Sequence, residues 1–246
     1  MGKGPLLWQP VGIDLFAAGD RAVVLSDKTP EEAGGANVVL AVDLESGRRT
    51  LLADLTLVPG VKFTKPTDIR LTAEEDQLLV SDVNEGVVSV DLKTGRRRVA
   101  VTASSGWPGA VARVDANEAW VVWGTSFVTL FDPSETAEAD HFVWLPQTGV
   151  PADVAWLPRT GKLLVLGGGV GPDNGIWLLD TATEQLEIVS GVGRGDGPMF
   201  ATPERLCADH KGNEAVVVDP GLASVLRVDL ATGNRLAIYE QLVRAY

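Results

Sequence analysis

Apolar residues along this chain fall in short runs broken by turn residues, and almost nowhere at the spacing of an amphipathic helix. The stretch from Gly195 to Ile238 shows the pattern most clearly. Pro203 opens a first strand, residues 209–213 turn the chain, and Ala215 to Val218 form a β-branched run of buried-strand type. Ser224 to Asp229 make a further strand, and residues 229–233 form a tight hairpin turn into Arg235 to Tyr239.

The same grammar recurs upstream. A first repeat runs through Ile13 to Phe16, Ala22 to Ser26, Val38 to Leu44 and Thr50 to Leu55, with an insertion at residues 28–36. A second follows Pro66, with strands near Asp68 to Leu71, Gln77 to Ser81, Val87 to Leu92 and Arg97 to Thr102. A third follows Pro108, with strands at Ala110 to Val114, Ala119 to Trp123 and Phe127 to Phe131. A fourth follows Pro151, with strands at Val154 to Leu157, Lys162 to Leu166 and Gly175 to Leu179. Five repeats of roughly 40–55 residues match the period of propeller blades. The reading is therefore an all-β β-propeller of four-stranded antiparallel blades, one domain over residues 1–246, with blades near 10–60, 66–105, 108–147, 151–192 and 203–243. Each opening proline should start an innermost strand.

The runs Leu78 to Val80, Leu163 to Leu166 and Ala215 to Val218 are apolar on consecutive positions, so both faces of those strands should be covered. Asp43, Asp91, Asp132, Asp180 and Asp229 open the hairpin turns, where a short carboxylate accepts backbone N–H groups two residues on. The third turn, residues 132–136, lacks the late glycine, so its hairpin should be looser.

Gly2 to Pro10 and Gly195 to Pro203 share the pattern GxGPxxxxP. Together with xDxxGN, VVVD and VxRVDLxTGxR, this resembles the repeats of NHL-type and SMP-30/gluconolactonase-like β-propellers, over nearly the whole chain. The resemblance is one of blade architecture. Those families usually have six blades, so either five close the ring or a sixth is missing. It also implies an alternative activity, a calcium-dependent lactonase with a Glu/Asn/Asp cluster in the central cavity, although no residue here pairs securely with that Glu or Asn.

The long segments of the repeats, 28–36, 167–175 and 190–202, fall where the chain enters a blade or joins its second and third strands, so a ligand site belongs on that entry-loop face. Candidate ligand-binding residues there are Asp68, Asp153, Glu204, Trp8 and Trp107. Asp68 and Asp153 are also the candidate ligands for Ca²⁺, an ion that takes several oxygen donors. Asp27, Asp82, Asn84, Asp173, Asn174 and Asp219 follow second strands on the same face, and the plain alternative is that Asp27, Asp82 and Asp219 bond their own loops. Trp120, Trp123, Trp144, Trp156 and Trp177 lie on strands and read as packing residues.

Composition narrows the function classes further. A formal charge of -12 argues against a nucleic-acid partner. The glycine-rich stretches at 167–171 and 191–197 precede no helix pattern and are not phosphate loops. His141 and His210, the chain's two histidines, lie on outer strands or turns, which disfavours a zinc site or a histidine-based triad. Cys207 is the single cysteine and reads as a small buried hydrophobe. Arg194-Gly-Asp196 spells an adhesion tripeptide and reads as coincidence. No apolar run has membrane-spanning length, and the N-terminus has no signal-peptide core, so the chain as given reads as soluble with no membrane partner.

Three functional readings follow. The leading one is a non-enzymatic binding scaffold for a small molecule, sugar or peptide, without a cofactor. The second is the lactonase-like hydrolase with possible Ca²⁺. The third is an incomplete blade array closed by self-association, against the expectation of a closed monomer.

Overall fold

The structure, a computed structural model, describes residues 3–7, 9–26, 37–54, 61, 63–72, 74–103, 106–115, 118–124, 126–134, 141–145, 148–168, 174–209 and 211–240. Five four-stranded antiparallel sheets account for nearly all of its regular structure. Blade one contains β1 (Pro10–Leu15), β2 (Arg21–Ser26), β3 (Val38–Asp43) and β4 (Arg49–Asp54). Blade two contains β5 (Pro66–Leu71), β6 (Gln77–Asp82), β7 (Gly86–Asp91) and β8 (Arg97–Val101). Blade three contains β9 (Pro108–Arg113), β10 (Ala119–Trp123), β11 (Phe127–Phe131) and β12 (His141–Trp144). Blade four contains β13 (Val150–Leu157), β14 (Lys162–Gly168), β15 (Gly175–Asp180) and β16 (Gln185–Ser190). Blade five contains β17 (Arg205–Ala208), β18 (Glu214–Asp219), β19 (Ser224–Asp229) and β20 (Arg235–Glu240). In every sheet the strands lie in chain order, as hairpin connections require.

The chain divides into two compact units, Met1–Val121 with Thr129–His141, and Val122–Val128 with Phe142–Tyr246. In the first unit, Val23, Leu25 and Val39 of blade one meet Ile69, Leu71, Leu78, Val80, Val88 and Val90 of blade two in one buried cluster. In the second, Leu164, Leu166, Ile176 and Val189 of blade four meet Leu206, Ala215, Val217, Leu226 and Val228 of blade five. Packing between successive blades runs through their first strands, β1 on β5, β5 on β9, and β13 on β17. Pro10, Pro66 and Pro108 begin their strands, Pro151 is the second residue of its own, and Pro203 stands two residues before β17.

The hairpin aspartates behave as local acceptors. Asp91 Oδ1 accepts the amides of Lys93 and Thr94 at 2.9 and 2.6 Å, and Asp229 Oδ1 those of Ala231 and Thr232 at 3.0 and 2.8 Å. The glycines of three turns take left-handed φ values, Gly47 at 66°, Gly95 at 71° and Gly233 at 78°. In the fourth turn Glu184 takes the same conformation at 58°.

Three expectations need correction. Leu78 to Val80 and Leu163 to Leu166 are buried throughout, but in blade five Val216 is 36% and Val218 41% exposed, so one face of that sheet is open. Alternation within β18 puts Ala215 and Val217 against blade four and leaves the valines between and beyond them uncovered. Cys207 sits opposite Val216 on that open face and is exposed for the same reason. Trp120 and Trp123 are packing residues, whereas Trp144 is 63% exposed because β12 is the outermost strand of its sheet.

Candidate functional site

Asp68 and Asp153 each follow the opening proline by two residues and are almost wholly buried. Asp68 accepts the Val111 amide on β9 at 3.1 Å and a hydrogen bond from the Arg70 guanidinium at 2.8 Å. Asp153 accepts the Leu206 amide on β17 at 2.8 Å and its neighbour Val154's amide at 2.8 Å. Val111 and Leu206 are each the third residue after their own opening proline, so the two clasps are the same contact, made from the second repeat to the third and from the fourth to the fifth. In both, a carboxylate of one blade satisfies an inner-strand N–H of the next.

Blade one makes the contact differently. Gly12 stands where the acid would be, and a Cβ there would lie 2.9 Å from the Ile69 nitrogen. The acid is displaced two residues, to Asp14, which accepts the Leu71 amide at 2.8 Å. Ala110, at the same position of blade three, brings no acceptor.

The acids at the ends of second strands hold the linkers that enter their blades. Asp82 accepts the Thr64 and Lys65 amides at 2.8 and 2.9 Å, just before Pro66. Asp219 accepts the Ala201 and Thr202 amides at 2.8 and 2.9 Å, just before Pro203. Asn174 donates to the Ala201 carbonyl at 2.7 Å. The plain reading of Asp82 and Asp219 as loop acceptors thus describes their geometry.

Of the remaining candidates, Glu204 is exposed and its amide pairs with the Val218 carbonyl at 3.0 Å. Trp107 is 53% exposed immediately before β9. Trp8, Asp27, Asp173 and His210 lie outside the described residues. Among the described residues no three His, Cys, Asp or Glu side chains are grouped to hold a metal ion.

The residue that sequence reasoning passed over is Arg235. It is buried beside the linker 190–200 and donates to the carbonyls of Pro198 at 2.6 Å, Arg194 at 3.0 Å and Gly195 at 3.2 Å, and to Ser190 Oγ at 2.8 Å. Its guanidinium lies 5.5 Å from the Phe200 ring centroid. Burial pulls its pKa below the usual arginine value, with Asp196 opposing. Blade two repeats the stack, with Arg97 5.8 Å from the Phe63 ring, and Phe63 and Phe200 each precede an opening proline by three residues. The arginine was visible as the last letter of VxRVDLxTGxR.

The paired GxGP segments also agree. The Arg49 amide donates to Lys3 at 2.8 Å, as the Arg235 amide donates to Asp196 at 2.7 Å. Gly4 and Gly197 have φ of 121° and 107°, and at each the carbonyl of that arginine occupies the space a Cβ would need. Backbone packing thus accounts for Gly197, and for Gly195 within Arg194-Gly-Asp196, where the Gly233 backbone lies equally close.

No family model matches the chain, and no curated protein matches it. Solved structures do. A chain of the nidogen/laminin complex aligns with a TM-score of 0.72 at 12% identity, over 94% of this chain and 79% of that one. The WD40 repeats of RRP9 align with 0.70 at 11% identity, over 95% and 63% of the two chains. Hydrazine synthase of Kuenenia stuttgartiensis aligns with 0.67 at 13%, over 90% and 64%. The chain therefore spans less than two thirds of the last two. At these identities the likeness shows the fold alone, a β-propeller with five four-stranded blades. No helix among the described residues is long and apolar enough to cross a membrane.

Proposed function

We propose that the chain is a non-enzymatic binding and interaction scaffold that takes a small molecule, sugar or peptide on the side where linkers enter the blades. The observation that carries this reading is the commitment of the buried acids. Asp68, Asp82, Asp153 and Asp219 each accept backbone N–H groups of a linker or a neighbouring blade. Carboxylates used in this way are fixed acceptors of the framework. Trp107, by contrast, offers an open aromatic face at the mouth of β9, suited to stacking on a sugar ring or a peptide side chain. The fold's occurrence in a nidogen/laminin complex and in WD40 repeats supports an interaction role. The NHL-type and SMP-30/gluconolactonase-like likeness enters this proposal as a likeness of blades.

Glycan and peptide arrays probed with the wild-type chain and with Trp107→Ala test the reading. A ligand retained by the wild type and weakened about tenfold or more by the substitution is the expected result. Ca²⁺-dependent turnover of simple lactones by the wild type would contradict it.

A further inference from the structure

We infer that Met199 is an oxidation site, taken to its sulfoxide by a hydroperoxide and received in that state by the Arg235 guanidinium. The inference goes beyond the scaffold reading and does not rest on it.

Met199 lies in the linker between β16 and β17 and is 47% exposed. Arg235 Nη2 donates to Met199 Sδ at 3.6 Å. The same guanidinium holds the Pro198 carbonyl at 2.6 Å and the Gly195 carbonyl at 3.2 Å. On the other side of Met199, the buried Phe200 ring lies beneath that guanidinium at 5.5 Å. The residues flanking Met199 are thus fixed while its thioether stays open to solvent. All of these groups belong to the second compact unit, so the arrangement needs nothing from the first.

The repeat shows that packing does not call for sulfur here. Gly4-Pro-Leu6 and Gly197-Pro-Met199 are the same segment, and Leu6, the counterpart of Met199, is 67% exposed. A hydrocarbon side chain at the surface therefore serves the position. What Met199 adds is a polarisable, oxidisable atom within reach of a cation.

The chemistry favours the oxidised form at this place. A thioether sulfur is a weak acceptor, so the reduced contact is a weak one. In the oxidation a sulfur lone pair attacks one oxygen of hydrogen peroxide and the O–O bond breaks. The hydroxide released takes the proton from the transferred oxygen and leaves as water. Sulfur loses two electrons and the peroxide gains them. The new oxygen carries partial negative charge, and a hydrogen bond to it from a guanidinium is charge-assisted. Rotation about the bonds of the unbranched side chain brings that oxygen to Nη2. In an apolar core a sulfoxide disrupts packing, whereas at Met199 it meets water and a donor already in place. Oxidation should therefore tighten the linker, and reduction of the sulfoxide should release it.

The test treats the whole chain, carrying Cys207→Ser, with millimolar hydrogen peroxide, since the exposed Cys207 thiol would otherwise react as well. Peptide mass spectrometry follows the oxygen gained at Met199. Hydrogen exchange at residues 191–199 and the melting temperature are read before and after. We expect Met199 to oxidise at a rate within about tenfold of a methionine in an unstructured peptide. Exchange at 191–199 should then slow by about threefold or more with no fall in melting temperature, and should recover after treatment with methionine sulfoxide reductases. Met199→Leu should keep the melting temperature and show no response to peroxide in this segment. Met199→Gln, whose amide oxygen stands in for that of the sulfoxide, should show the slower exchange without peroxide. A Met199 that resists oxidation overturns the proposal. Exchange that is unchanged or faster once Met199 is oxidised overturns it too, as does a peroxide response of the same size in Met199→Leu.

Discussion

Asp153 on the first strand of blade four accepts the amide of Leu206 on the first strand of blade five at 2.8 Å, and Asp68 does the same for Val111 one repeat pair earlier. The link is a charged acceptor in a nearly dry place, joined to a backbone donor that has no strand partner on that side. Deleting the carboxylate leaves buried amides unsatisfied, each worth about 1–3 kcal/mol. Asp153→Ala should therefore lower unfolding stability by about 2–4 kcal/mol in urea titration, whereas Asp14→Ala, in a more exposed setting, should cost about 1 kcal/mol.

Arg235 gathers the carbonyls of Arg194, Gly195, Pro198 and Gly233 and the Ser190 hydroxyl around one planar group. An ammonium cannot reproduce that fork. Arg235→Lys should lose most of what Arg235→Ala loses, about 3 kcal/mol in either case. Hydrogen exchange at residues 191–199 should speed up in both variants before the rest of blade five is affected.

The repeat phase, the hairpin aspartates and all but the last strands of the third and fourth blades were legible in the sequence because each rests on local rules of alternation and turn chemistry. The roles of the acids were not. Asp68 and Asp153 look alike in sequence whether they bind a ligand or clasp a neighbouring strand, since the deciding donors, Val111 and Leu206, lie 43 and 53 residues away. Asp14 was missed because its two-residue displacement depends on the close approach of Gly12 to Ile69. Blade five misled for another reason: Val216 to Val218 have a fully buried composition, yet one side is open.

Glu184 holds the left-handed position that Gly47, Gly95 and Gly233 hold elsewhere. A side chain in that region carries strain of about 1–2 kcal/mol. Glu184→Gly should raise stability by about 1 kcal/mol, less the added freedom of the unfolded chain, as a higher melting temperature in calorimetry. The same substitution at Glu187, on the following strand, should lower it.

Hydrogen bonds from Ser46, Thr94, Thr183 and Thr232 hold the carboxyls of Asp43, Asp91, Asp180 and Asp229 below the ordinary aspartate value of 3.8. Each carboxylate is bonded in the folded chain and solvated in the unfolded one. Their stabilisation is thus complete above pH 3.8 and lost as pH falls through the lowered folded values. Acid titration of stability should decline in that window, and Asp229→Asn should make the decline shallower.

Thermal unfolding of the wild type and of the Asp68→Asn, Asp153→Asn double variant, each with and without millimolar Ca²⁺, tests most directly whether these acids build the framework. The account predicts a lower melting temperature for the double variant, and no shift by Ca²⁺ in either protein. A Ca²⁺-dependent rise in the wild type that disappears in the double variant would contradict it, because only an ion bound by those carboxylates stabilises the folded state in that way.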